Sequence, residues 1–257
     1  MFDAIIWGLV QGLTEFLPIS SSGHLVLVPA LIEAGGAEMS DPDLATSAVL
    51  HLGTLVAVIA YYRRDLRALM RFRSDPKARH IVWLLALGTI PAVIGLPLEG
   101  ALSRLESNPD AVAIALLGTG AILFVSTRLP IGARTLEDGT NRDALIVGVS
   151  QALALIPGIS RSGSTITAGL ARGLDRREAA RFSFLLAIPT IAGGGLLSLG
   201  DLISDGVDLG PVAVGFLFAL VSGYTAIVLI LRILVTRGFG PFVVYCLAMG
   251  TASLIIL

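Results

Sequence analysis

A single cysteine, Cys246, excludes an intramolecular disulfide, and its place in the last apolar run reads as a packed or lipid-facing thiol with no redox role. Lysine is almost absent: Lys77 is the only one, so positive charge is carried by arginine. Charged residues of both signs make up 14% of the chain and sum to -1, a balance that hides strong local segregation and gives nucleic-acid binding no support. No basic stretch precedes the first apolar segment and no small-residue cleavage site follows it, so that segment is expected to be retained rather than removed as a signal peptide. What the chain has in abundance is apolar residues, 54% of the total with mean hydropathy +0.85. Several of its runs approach the roughly 20 residues that span a bilayer. These are the marks of an integral membrane protein, read here as a single membrane domain over residues 1–257.

Uninterrupted apolar spans run from about Leu44 to Tyr62, His80 to Leu98, Ala111 to Val125, Phe182 to Leu199, Pro211 to Leu231 and Phe242 to Leu257, which predicts six crossings. The loops between them alternate in charge. Arg63, Arg64, Arg67, Arg71, Arg73, Lys77 and Arg79 crowd one loop, and arginines also dominate residues 128–142, 172–181 and 232–237; these are expected to be cytoplasmic. The basic segment from Arg63 to Arg79 reads as an interfacial helix drawn to anionic headgroups. Loops carrying Glu33, Glu38, Asp41 and Asp43, then Glu99, Glu106 and Asp110, then Asp201, Asp205 and Asp208, are expected to face outward.

Two segments are too polar at their centres for ordinary crossings, and they are copies of each other. At a constant offset of 140 residues, Asp3-Ala4 returns as Asp143-Ala144, Ile6 as Ile146, Gly8 as Gly148, Gln11 as Gln151, Leu13 as Leu153, Ile19-Ser20 as Ile159-Ser160 and Ser22-Gly23 as Ser162-Gly163. The duplication sets repeat one at about residues 1–127 and repeat two at about 143–257. Each copy breaks at proline followed by a serine cluster, Pro18 to Gly23 and Pro157 to Gly163, and reads as a re-entrant helical hairpin. One hairpin plus three crossings is an odd number of passages, so the second repeat starts on the opposite side of the membrane. The fold class is therefore an all-α polytopic membrane protein, six transmembrane helices plus two re-entrant hairpins in an inverted-topology repeat. Irregular backbone at membrane depth persists only where protein or a wet cavity covers it, so the tips are expected to meet.

At each break a new helix begins, with free N–H groups and a partial positive charge of about half an elementary unit. Two such termini facing one cavity favour an anion. Arg161 adds a full charge and a planar fork of donors, and Gly158, Ser160, Ser162, Gly163, Ser164 and Thr165 add close backbone approach and hydroxyls, together a phosphate cradle. The first hairpin brings Gln11 and Glu15, four apart on one helical face, and His24 after the serines. Ionisable groups at membrane depth are expensive and point to function. His51, inside an apolar crossing, reads as a core histidine satisfied by a backbone carbonyl, and His80 as interfacial.

Gln11-Gly12-Leu13-Thr14-Glu15-Phe16-Leu17-Pro18-Ile19-Ser20-Ser21-Ser22-Gly23-His24 and Pro157-Gly158-Ile159-Ser160-Arg161-Ser162-Gly163-Ser164-Thr165 resemble the two signature motifs of the undecaprenyl-diphosphate phosphatase family, also called bacitracin-resistance proteins. The resemblance covers essentially the whole chain. It implies removal of the terminal phosphate from a polyprenyl diphosphate, recycling of the cell-wall lipid carrier, bacitracin resistance, and a place in the bacterial cytoplasmic (inner) membrane. It further implies Glu15, Ser21, His24 and Arg161 as catalytic residues, with Ser20, Ser22, Gly158, Ser160, Ser162, Gly163 and Thr165 binding the diphosphate. Mg²⁺ or Ca²⁺ is the expected cofactor, on Glu15 and Gln11; many members carry glutamate where Gln11 stands, which removes a second carboxylate ligand. Ser21 is the first choice of nucleophile with His24 as its base, while His24 as phosphate acceptor and direct attack by water stay open. A homodimer is left open as well. The competing class is a polyprenyl-phosphate flippase or anion transporter using the same midplane site.

Overall fold

The computed structural model describes residues 1–37, 44–204 and 209–257, so Glu38, Asp41, Asp43, Asp205 and Asp208 of the expected acidic loops lie outside the described residues. Every element there is helical. The order is α1 (Phe2–Phe16), α2 (Ser21–Ala34), α3 (Leu44–Tyr61), α4 (Arg63–Leu69), α5 (Pro76–Gly95), α6 (Glu99–Leu102), α7 (Pro109–Thr127), α8 (Asn141–Leu153), α9 (Arg161–Ala171), α10 (Arg176–Ser204), α11 (Leu209–Arg237) and α12 (Gly240–Ile256), with three short 3-10 turns. Each of the six expected spans is a helix. Among the described residues three apolar stretches are long enough to cross a membrane by length and composition, Pro76–Leu98, Pro109–Thr127 and Gly210–Arg237, while Thr46–Tyr61 and Gly240–Ile256 are apolar but shorter. The arms of the duplicated segments are shorter again. At 1.5 Å per residue the 15 residues of α1 reach about 22 Å and the 11 of α9 about 16 Å, short of the roughly 30 Å hydrocarbon core.

Local chemistry explains where the helices stop and start. Leu17, held extended at φ -67° and ψ 144° as residues before proline must be, ends α1. In the second copy α8 stops at Leu153, four residues ahead of Pro157, and overlapping turns carry the chain to Gly158, whose φ of +94° suits glycine alone. A Cβ there would also lie 2.5 Å from the Val112 carbonyl oxygen. The new helices then open alike. Ser20 Oγ accepts from Gly23 N at 3.2 Å, and Ser160 Oγ accepts from Gly163 N at 3.1 Å, residues that correspond at the 140-residue offset.

Packing follows the same correspondence. Helix α1 lies along α11 as α8 lies along α5, while α3 packs on α10 and α7 on α12. Small residues set these approaches: a Cβ on Gly8 would come 2.5 Å from the Gly215 carbonyl oxygen, and one on Gly148, its copy, would collide with that of Gly88. The core that supports the tips includes Phe16, edge-on to Phe184 at 5.5 Å between ring centroids, next to Tyr62. Cys246 is fully buried, with its thiol 3.8 Å from the Pro18 carbonyl oxygen. His80 Nε2 contacts the Gly139 carbonyl at 2.8 Å, which ties α5 to the segment before α8.

That segment is stapled to the second hairpin by Asp143 in the first turn of α8. Its side chain closes a capping box with Thr140 and pairs with Arg134 at 2.8 Å and Arg172 at 2.6 Å, joining both outer ends of the hairpin. Burial pushes this carboxyl up, but the Arg172, Thr140 and Arg134 bonds prevail and hold it at about 2, against an ordinary 3.8. The folded group is more acidic than the unfolded one, so its stabilisation is complete above the ordinary value and is lost as pH falls through about 2. Thermal unfolding in detergent should therefore show a stability loss between about pH 4 and about pH 2 that is shallower in Asp143→Asn, a variant also less stable at neutral pH.

Candidate active site

Both breaks open on one cavity of about 170 Å³, space for five or six waters at roughly 30 Å³ each. Its walls are Thr14 and Glu15 at the end of α1, Ser20, Ser21 and Ser22 at the start of α2, His51 from α3, and Ala154, Ile159, Ser160 and Arg161 from the second tip. A larger groove of about 470 Å³ between α5 and α10 is lined by Val82, Leu85, Ile90 and other apolar groups with Thr89, and brings no titratable side chain. The chemistry is in the smaller cavity.

Glu15 organises it. Oε1 accepts from Arg161 Nη2 at 2.6 Å, and Oε2 accepts from Ser21 Oγ at 2.7 Å and from Gln11 Nε2 at 3.0 Å. His51 Nε2 stands 4.0 Å from Oε2. Both partners of the ion pair are buried, Glu15 with 8% and Arg161 with 15% of its side chain exposed, so the contact is far less screened than a surface bridge. It is also the link between the copies, reinforced where Ser162 Oγ donates to the Leu17 carbonyl at 3.1 Å. Arg161 Nη1 is buried without a partner among the described residues, as is Gln11 Oε1. A guanidinium N–H with no acceptor, beside two helix N-termini, leaves the cavity with more donors than acceptors on this side.

The cavity thus gathers Glu15, Ser20, Ser21, Ser22, Ser160 and Arg161. It does not gather His24. The His24 Nδ1 lies 2.7 Å from the Ser20 carbonyl, which can only accept, so Nδ1 carries the proton of the neutral ring, and Nε2 accepts from the Tyr245 hydroxyl at 2.7 Å. Both nitrogens are spent away from Ser21, whose proton points to Glu15 instead; the expected Ser21–His24 pair is not formed. His24 acts as a buttress behind the site. It holds Ser20 at φ 68° and ψ 103°, the one non-glycine residue with positive φ among the described residues, a strain of about 1–3 kcal/mol.

Four residues expected on the diphosphate lie behind the cavity. Gly158 forms the turn and its carbonyl accepts from Thr119 Oγ1; Ser162 bonds to the first tip; Gly163 packs under Leu123; Thr165 Oγ1 bonds to the Arg161 carbonyl at 2.7 Å and to Ser183 at 2.6 Å. Two residues were missed. Tyr245 carries no sequence signal, being one aromatic in an apolar helix, whereas His51 did stand out as a histidine in a crossing and was assigned to the core. Its Nδ1 does bond to a backbone carbonyl, of Ser47, but its other face reaches the cavity.

As for a metal, no group of three or more His, Cys, Asp or Glu side chains is placed to hold one among the described residues. Gln11 Oε1 is the orphan oxygen, and Glu15 already serves three donors. These residues fit a hard cation that arrives with most of its oxygen ligands on the substrate, not one held by a protein cage.

A helical, apolar chain in which two broken helices meet around a buried carboxylate, an arginine and a serine hydroxyl has the make-up of a membrane protein with a polar site between its helices. The family model described as Bacitracin resistance protein BacA matches residues 4–252, and the chain belongs to this family. It is 44% identical over 266 residues to an undecaprenyl-diphosphatase of Alcanivorax borkumensis, covering 98% of this chain and 97% of that one. Proteins of the same name from Gloeobacter violaceus and Methanosphaera stadtmanae are 42% identical over 268 residues and 39% over 278, covering 99% and 100% of this chain and 91% and 98% of theirs.

The ion pair makes a stability prediction. Glu15→Ala strands Arg161 as a buried, unpaired charge and is expected to cost about 3 kcal/mol, the low end for such breaks because the cavity admits water. Thermal unfolding should show Glu15→Ala with Arg161→Ala together recovering much of that loss.

Proposed function

We propose that this protein is a membrane-embedded phosphatase that converts undecaprenyl, or another polyprenyl, diphosphate to the monophosphate and free phosphate. The activity recycles the lipid carrier of cell-wall synthesis and confers bacitracin resistance. One observation carries the reading: a serine hydroxyl 2.7 Å from a buried carboxylate whose other oxygen holds an arginine with a free N–H. The names of the relatives point the same way.

The chain's own groups suffice for an in-line transfer. Arg161 Nη1 and the N–H groups opening α2 and α9 bind the terminal phosphoryl oxygens. Ser21 Oγ attacks the terminal phosphorus as its proton passes to Glu15 Oε2, the bridging bond breaks, and the monophosphate lipid departs with that electron pair. Glu15 releases that proton to the departing monophosphate; water then attacks the phosphoserine as Glu15 takes one of its protons, the P–Oγ bond breaks, and Glu15 returns the proton to Ser21 Oγ as phosphate leaves with the other. A Mg²⁺ or Ca²⁺ ion carried on the diphosphate, touching Glu15 and Gln11, would supply further charge neutralisation. A flippase or anion carrier would need the positive groups but has no use for a hydroxyl aimed at a carboxylate.

The surrounding architecture is six crossings and two re-entrant hairpins in an inverted repeat within the bacterial cytoplasmic membrane. It is supported by arms too short to span, by the 140-residue correspondence, and by the paired packing of α1 on α11 and α8 on α5. The isoprenoid tail stays in lipid while its headgroup enters between the tips. Purified protein in detergent should release phosphate from undecaprenyl diphosphate. Ser21→Ala and Arg161→Ala should each lower kcat by about 10³-fold or more; near-normal turnover in either would reject this reading.

A further inference from the structure

The two tips are capped alike but shaped differently. Ser160 precedes α9 in an extended conformation, φ -75° and ψ 120°, whereas Ser20 precedes α2 at φ 68° and ψ 103°. A residue with a side chain keeps the second conformation only under restraint. The first copy must therefore hold its tip in a way the second does not, and the helices behind the tips show how. Helix α7 packs on α9, and α12 packs on α2.

Residues 18 and 158 correspond at the 140-residue offset, and the carbonyl of each is met from behind. Thr119 Oγ1 of α7 donates to the Gly158 carbonyl at 2.8 Å and accepts from Ser160 N at 2.9 Å, so it fixes the second tip directly. On the first tip Cys246 of α12 takes that place, with a thiol 3.8 Å from the Pro18 carbonyl oxygen and only a weak donor. One position earlier on each helix the roles reverse. Gly118 has no side chain to offer, and a Cβ there would meet Ile159. Tyr245 instead sends its hydroxyl to His24 Nε2 at 2.7 Å, with the two rings stacked at 5.6 Å, and His24 Nδ1 bonds to the Ser20 carbonyl at 2.7 Å. The residue corresponding to His24 is Ser164, whose hydroxyl has no partner among the described residues. The clamp and the strained backbone occur together in one copy and are both missing from the other.

We propose that Tyr245 is a positioning residue for the transfer step: its hydroxyl fixes the His24 imidazole against the Ser20 carbonyl, which keeps Ser20 in its strained conformation and so keeps Ser21 Oγ on Glu15. The Ser20 peptide is the last before α2, so its orientation sets that of the first turn, where Ser21 lies 2.7 Å from Glu15 Oε2. Without the hydroxyl, His24 Nε2 loses its donor, the ring is free to turn, and Ser20 relaxes toward the conformation of Ser160. Arg161, on the other tip, keeps the support of Thr119 and its hold on phosphate. The proposal rests on reading Ser21 as the nucleophile of the diphosphate reaction and names a residue that reading does not use.

The test is steady-state phosphate release from undecaprenyl diphosphate by the full chain in detergent, for wild type, Tyr245→Phe, Ser20→Gly and the two substitutions together. Phenylalanine keeps the ring at a position that is 40% exposed, so thermal unfolding should show Tyr245→Phe folded and within a few degrees of wild type. Tyr245→Phe should lower kcat about tenfold and leave KM unchanged, because the lost bond aims the hydroxyl of Ser21 and not the groups that bind phosphate. Glycine adopts positive φ without strain and caps a helix nearly as well as serine. In the Ser20→Gly background the same substitution should therefore lower kcat only about twofold or less, whereas a purely structural tyrosine would act equally in both. Wild-type kcat in Tyr245→Phe, an effect confined to KM, an equal loss in both backgrounds, an inactive Ser20→Gly, or loss of the fold in Tyr245→Phe would each overturn the assignment while leaving the phosphatase reading standing. Absence of phosphate release by wild type would overturn both.

Discussion

A carboxylate and a guanidinium cannot be left unpaired among apolar helices, and the contact of Glu15 with Arg161 at 2.6 Å is what makes the rest of this structure arrange as it does. Each belongs to a different copy of the duplicated segment, so pairing them requires two helix breaks to come together. Once they do, both new helix N-termini share a cavity, Ser21 at the start of α2 falls on the second oxygen of Glu15, and one N–H of Arg161 is left over among the described residues. The ion pair that joins the two copies thus also forms part of the wall of the cavity between them. Its cost in desolvation and in the backbone strain at Ser20 is offset by the packing of α1 on α11 and α8 on α5.

The copies have diverged where chemistry demanded it and stayed alike where geometry did. Ser20 and Ser160 cap their helices in the same way, and Gly8 and Gly148 permit the same close approach. Ser21 and Arg161 occupy equivalent places, yet one offers a hydroxyl and the other a charge. Repeated frames with different occupants give a pocket with a guanidinium on one side and a hydroxyl on the other.

Much of this was legible in the sequence because it rests on composition, proline and spacing. The six apolar runs are helices, the breaks fall at Pro18 and at Pro157-Gly158, and the offset of 140 residues relates the tips. Arg161 and Glu15 were readable as members of one site because an ionisable group at membrane depth is expensive. What the sequence did not reveal depends on directions that only the folded backbone sets. His24 follows Ser21 by three positions on one helix, which suggests a nucleophile and its base, but the positive φ at Ser20 swings a carbonyl under the imidazole and Tyr245 takes the other nitrogen. Thr165 lies one turn past Arg161 and spends its hydroxyl on that turn, as threonines in helices do. His51 has no motif around it, and its approach to Glu15 is fixed by how α3 packs beside α1.

The most direct measurement is an experimental structure of the protein in lipid with a bound diphosphonate analogue of the polyprenyl substrate. The account predicts Glu15 and Arg161 in contact between the two tips, with the terminal phosphorus group within hydrogen-bond reach of Arg161 Nη1 and in line with Ser21 Oγ. An analogue headgroup seated elsewhere, or tips drawn apart with Glu15 and Arg161 separated, would contradict it.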